Sequence, residues 1–215
     1  MRIPVALAFG ILVTTVSAQN WALINPAYKY NYSNDGTDTI SNQVFVTHID
    51  TLGVDSFRYE LNRVGVICET CASSVTSDCN WSVPGLAIRS ETPQFMGWSL
   101  MHRGQEWLME GADTLVIFPA AGLGANWIGP GGVVASVVSI SETTVFGSMD
   151  SLKLIGFSTG DTLSLTLDRG LFAFQPASLA GGSYELIGRD GPISEGEHFP
   201  TILDLFDYQV GDVLQ

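Results

Sequence analysis

The chain has 215 residues, 22 acidic against 9 basic, for a formal charge of −13. So few cations, in no cluster, leave nucleic acid and anionic lipid without the Lys/Arg contacts they need, so neither is an expected partner. A chain that is 46% hydrophobic and only 14% charged is not a disordered one; it can bury a real core in one large or two small domains.

The opening stretch, MRIPVALAFGILVTTVSA, carries Arg2, an uncharged apolar run from Ile3 to Val16, and small residues at Ser17 and Ala18. This is the pattern of a secretory signal peptide cleaved ahead of Gln19. The run is too short to cross a bilayer, which takes roughly 20 apolar residues. No later stretch of the sequence is apolar enough to do so. The expectation is a signal peptide over residues 1–18 and export to the cell surface or medium, with no membrane insertion after signal removal. A β-rich domain follows over residues 19–205, with room for two packed sub-parts.

A short pattern then recurs: Asp38-Thr-Ile, Asp50-Thr-Leu, Asp55-Ser-Phe, Asp113-Thr-Leu, Asp150-Ser-Leu and Asp161-Thr-Leu. Asp favours turns by bonding nearby backbone N–H groups, and Thr with large apolar residues favours strands. Each triplet therefore reads as a turn ending and a strand beginning. Calcium would need several oxygen ligands converging on one loop, and the nearest approach, Asn34-Asp-Gly-Thr-Asp38, lacks the later ones.

Alternation predicts strands at Val44–Ile49, Phe57–Leu61, Val64–Ile67 and Leu163–Leu167, and shorter ones at 113–118, 151–157, 171–174 and 183–187. The β-branched run 133–145 reads as one long bent strand. His102-Arg-Gly104 reads as a polar hairpin tip between Phe95–Met101 and Glu106–Met109. Gly and Pro punctuate the chain at close intervals, and no long amphipathic helix is evident. The fold class expected is all-β: an antiparallel β-sandwich or curved open sheet of many short strands with little helix. The last ten residues, 206–215, read as the start of a further strand or domain, with more chain to follow.

Few residues suggest chemistry. All three cysteines lie in one segment, Cys68-Glu-Thr-Cys71 to Cys79. Zinc would need a fourth ligand, and only His48, His102 and His198 are available, each distant in sequence. A redox pair would need a helix to follow, and a turn-rich loop follows instead. A disulfide staple suits an oxidising compartment, with one cysteine left over. Gly129-Pro-Gly-Gly132 lacks the Lys-Ser/Thr of a phosphate loop. His198 with Glu195 and Glu197 forms an acidic loop that reads as solvated. Asn31-Tyr-Ser and Asn80-Trp-Ser match the glycosylation sequon without further support. No metal and no cofactor are expected. Of the five tryptophans, Trp98 and Trp107 flank the predicted hairpin and are the candidates to share a ligand-contacting face.

Several stretches together carry a resemblance: Asp55-Ser-Phe-Arg-Tyr-Glu-Leu-Asn-Arg, Cys68-Glu-Thr-Cys71, Pro93-Gln-Phe-Met and Trp127 ahead of a β-branched strand. They continue with Val145-Phe-Gly-Ser-Met-Asp-Ser-Leu-Lys, Leu167-Asp-Arg-Gly-Leu-Phe-Ala-Phe, Ser183-Tyr-Glu-Leu-Ile-Gly and Phe206-Asp-Tyr-Gln-Val-Gly-Asp-Val. Their order resembles the N-terminal region of large secreted Bacteroidota proteins that end in a type IX sorting domain. The resemblance implies export, a β-rich architecture, further chain beyond residue 215 and no established enzymatic role; it supplies no catalytic residues. It also favours Cys68–Cys71 as the disulfide, with Cys71–Cys79 as the alternative because a longer loop meets disulfide geometry more easily.

The function expected is that of an exported, non-enzymatic β module, structural or ligand-contacting, within a larger secreted or surface protein. The alternatives are a carbohydrate- or peptide-binding module using Trp98 and Trp107, or a secreted hydrolase using two carboxylates. Its partner would be a glycan or protein at the cell surface.

Overall fold

The computed structural model describes residues 21–34, 36–67, 88–110, 114–178 and 182–199, and these are built almost wholly of antiparallel strands. In chain order they are β1 (Lys29–Ser33), β2 (Asn42–Gly53), β3 (Ser56–Leu61), β4 (Val64–Ile67), β5 (Ile88–Thr92), β6 (Ser99–Arg103), β7 (Glu106–Glu110) and β8 (Thr114–Ile117). There follow β9 (Asn126–Ile128), β10 (Val134–Val145), β11 (Ser148–Phe157), β12 (Thr162–Thr166), β13 (Gly170–Gln175), β14 (Tyr184–Asp190) and β15 (Glu195–Gly196). Among the described residues the only helical turn is the three-residue segment Pro130–Gly132. None of their helices is long and apolar enough to cross a membrane.

Twelve strands join in the order β8-β7-β6-β3-β2-β1-β14-β13-β12-β11-β10-β9, with β15 beside β14 and β4–β5 as a separate ribbon. Most neighbours in the sheet are neighbours in sequence. The exceptions are β3–β6, which skips the ribbon, and β1–β14, which joins the first described strand to one of the last. The sheet bends where β2 changes partner: Asn42–Phe45 pair with β1, and Val46–Gly53 pair with β3 across two register shifts. Such bulges bend a strand and increase its twist. The long strand read over 133–145 is β10, and its bend is a register shift against β11 between Val137 and Ser139.

Rolling brings the two edges together. The Trp127 indole N–H of β9 donates to Val116 O of β8 at 2.7 Å, and the ring lies edge-on to Phe118 at 5.5 Å. The enclosed side chains form one core, with Tyr30, Tyr32, Leu100, Ile117, Ile155, Leu163, Leu165 and Leu171 almost completely buried. Strand β12 shows the cause: Leu163 and Leu165 point inward while Ser164 between them is half-buried.

Strand β1 departs from alternation, because Asn31 and Ser33 are buried as well as Tyr30 and Tyr32. Its outer face is covered by the chain around Glu197, whose carbonyl accepts from Asn31 Nδ2 at 2.9 Å. That crossing needs a glycine beneath it: a Cβ on Gly188 would sit 1.8 Å from Glu197 O. The Asn31 amide also donates to Asp190, so the sequon at Asn31 is buried and occupied by protein contacts.

The Asp triplets divide. Asp55 and Asp161 stand just ahead of β3 and β12, and Thr114 opens β8, as expected. Asp50 and Asp150 lie inside β2 and β11 instead. Asp150 holds a buried ion pair with Arg169 instead of opening a strand. The signal-peptide region, the three cysteines and residues 206–215 lie outside the described residues.

Candidate functional site

The hairpin β6–β7 turns at Gly104-Gln105, and this turn sets His102 directly opposite Trp107. On the other side of β6, His102 pairs with Phe57 of β3, and Tyr59 follows two residues on along the same face. Four rings therefore meet in a square. Trp107 stacks on His102 at 4.6 Å and on Tyr59 at 5.4 Å, and Phe57 completes it at 6.3 Å from His102 and 6.4 Å from Tyr59. Trp107 is buried, while Phe57, Tyr59 and His102 are half-buried. Burial pushes the Tyr59 hydroxyl above its ordinary value of 10.0.

Tyr59, His102 and Trp107 form one wall of a cleft of about 440 Å³. The N-terminal segment Trp21–Pro26 and the turn Leu167–Gly170 form the others. The two segments are tied together: Leu171 N–H donates to Leu23 O at 2.8 Å. The close approach needs Gly170, at φ +84°, where a Cβ would meet Leu23 O at 2.6 Å. Tyr30 lies at the bottom, accepting the Asn25 N–H at 2.7 Å. Burial pushes its hydroxyl up to about 12, against the opposing pull of that bond and of Arg189.

A charge network fixes the turn. Asp150 Oδ1 accepts the N–H groups of Leu167 and Asp168, and its Oδ2 accepts from Arg169 Nη1 at 2.8 Å. Arg169 Nη2 reaches Glu195 at 2.9 Å, and Arg189 grips the other Glu195 oxygen at 2.7 Å. Burial raises the Glu195 carboxyl pKa, but the Arg169 hydrogen bond and both guanidinium charges outweigh burial and hold it below 4.5. Arg189 also donates to Asp168 O and lies over the Tyr28 ring at 4.4 Å. Two cations and two carboxylates thus neutralise one another behind the cleft wall.

Chemically, the cleft offers aromatic surface edged by the polar side chains of Asn25, Gln105 and His102, with Asp168 and the ion-paired Arg169 in the same lining. Asp168 is the only carboxylate in its described lining, so the pair of acids that glycoside hydrolysis requires is not assembled there. Gly156-Phe-Ser158-Thr-Gly160 has the spacing of a nucleophile elbow. It is, however, the turn between antiparallel β11 and β12, and Ser158 Oγ accepts the Val134 N–H. No three His, Cys, Asp or Glu side chains among the described residues form a group able to hold a metal.

The two tryptophans named from the sequence do not meet. Trp107 lines the cleft, whereas Trp98, 47% exposed, stacks under Arg63 at 5.2 Å beside a separate cavity of about 630 Å³. That cavity is edged by charged Arg58, Glu60, Arg63 and Glu110 and carries a single ring. His48 is exposed and paired with Asp50 at 3.1 Å. Glu195 is committed to its arginines, so it does not join His198 and Glu197 around a cation. Tyr59 and His102, which line the cleft beside Trp107, are not singled out by the sequence as ligand contacts. The signal was present in the two-residue hairpin turn, which fixes His102 against Trp107 once the register is drawn. The chain matches no family model, no curated protein and no solved structure.

Proposed function

We propose that the protein is an exported, non-enzymatic β module that contacts a neutral glycan through the Tyr59–His102–Trp107 cleft. The observation that carries this reading is the aromatic wall itself. Stacked rings with hydrogen-bonding groups at their edges suit a ligand that is apolar on its faces and hydroxylated around its rim. The local arginines are spent on Asp150 and Glu195, and the one carboxylate in the lining, Asp168, is exposed, so the cleft offers an acidic ligand no free cation. Export is supported by the pattern of residues 1–18, and membership of a larger surface protein by the order of motifs that resembles secreted Bacteroidota chains. A disulfide among Cys68, Cys71 and Cys79 belongs to the same proposal, and thiol counting on the unfolded, unreduced protein tests it.

The test of function is a neutral-glycan array probed with the protein lacking residues 1–18. Saturable binding to at least one glycan is expected, with no release of reducing ends. Absence of glycan binding contradicts the reading, and steady hydrolysis of a bound glycan moves the protein to the enzyme class.

A further inference from the structure

The cleft does not end at the β6–β7 turn. Gln105 and Ala120 line it and also line a second cavity of about 260 Å³, walled by Phe118, Ala121, Ala125 and Trp127. We infer that the two cavities are consecutive subsites of one groove, and that its ligand is a chain of sugar units rather than a single sugar. This rests on the glycan reading above.

Three observations point the same way. The second cavity is smaller than the roughly 300 Å³ at which pockets begin to hold a ligand alone, so it serves as an extension of its neighbour. It is lined by no charged residue: two aromatic rings, alanines and the amides of Gln105 and Asn126 make up its described lining. A neutral unit fits there, and an acidic polysaccharide does not, given the net charge of −13. Its main ring is also fixed in advance. Trp127 is half-buried, its indole N–H is held by Val116 O and its edge contact is with Phe118, so little order is lost on binding. Exposed Gln105 stands between the two cavities, with an amide that can both donate to and accept from hydroxyls on either side. The ligand therefore runs from the His102–Trp107 rings, past Gln105, to Trp127 at the seam where β8 meets β9.

The experiment is isothermal titration with length series of neutral glucans, glucose, cellobiose and cellotetraose, with maltotetraose and mannotetraose in parallel. A second subsite walled by the Phe118 and Trp127 rings predicts that the tetrasaccharide of the recognised series binds about tenfold tighter than the shortest member that binds. Ala121→Phe, which fills the second cavity, should remove that gain and leave the short ligand unaffected. Ala125→Leu should act in the same direction, and its unfolding midpoint checks that the seam stays formed. Length-independent affinity, with both variants like the parent, overturns the groove while leaving the glycan reading intact. No binding by any of the five glucans and mannans, confirmed on the array, overturns both.

Discussion

Lys153 is a lysine in the middle of a β-sheet, 1% exposed, with no carboxylate among the described residues paired to it. Its amine donates to Pro119 O and lies over the Trp21 ring at 4.1 Å. Burial lowers its pKa from 10.5, so the folded state binds the proton less well than the unfolded chain does. The charge therefore costs stability at neutral pH, and the cost is relieved as pH rises through the folded pKa toward 10.5. Lys153→Met should be neutral or stabilising at pH 7, by up to about 2 kcal/mol, with the difference shrinking at high pH. Chemical denaturation at two pH values measures this; a clear loss of stability at pH 7 would contradict it. Glu195 has the opposite sign. Its folded pKa lies below 4.5, so its contribution is whole above that pH and is lost as pH falls through the folded value. Glu195→Gln should cost about 3 kcal/mol at pH 7 by leaving two arginines short of a partner, and the gap to the parent should narrow in acid. Neither the burial of Lys153 nor the ion pairing of Glu195 was legible in the sequence. Alternation placed a strand over 151–157, but nothing local says that its lysine faces inward. Glu195 finds Arg169 across 26 residues, a distance that no spacing rule spans.

The strands themselves were legible wherever a face alternates and a turn residue bounds it, as in β3, β12 and the β6–β7 hairpin. Where the outer face is also covered, alternation fails, and β1 was missed for that reason: Lys29–Ser33 buries four consecutive residues. Strands β9 and β15 are three and two residues long and exist only through their partners. β15 depends on two glycines, Gly188 beneath it and Gly196 within it, where a Cβ would meet Ile187 O at 2.2 Å. Gly188→Ala would drive a methyl group into Glu197 O, so the segment 195–197 must lift away. The expected result is a loss of about 2 kcal/mol or more. Fast hydrogen exchange should follow at the Glu197 N–H, which now bonds Ile187 O at 2.8 Å. An alanine variant that keeps that amide protected would show that the crossing is less tight than its geometry.

At the scale of the molecule, a sheet that rolls until β8 meets β9 leaves a cleft at one end, between an aromatic wall and a turn locked by Asp150 and Glu195. The candidate pair Trp98 and Trp107 is divided between two separate cavities. The hairpin was legible, but the bend that takes Trp98 to Arg63 while Trp107 stays with Tyr59 arises only when β3 pairs with β6 across the skipped ribbon. Under the proposed function, the rings of Tyr59, His102 and Trp107 hold a neutral glycan in this cleft. The most direct test of that function is the affinity of the strongest array glycan for Tyr59→Ala, which removes one face of the Trp107 stack, set beside Trp98→Ala. The expected result is a loss of about tenfold or more for Tyr59→Ala, with the unfolding transition still cooperative, and parent affinity for Trp98→Ala. Parent affinity for Tyr59→Ala, with the loss appearing at Trp98→Ala instead, would contradict it.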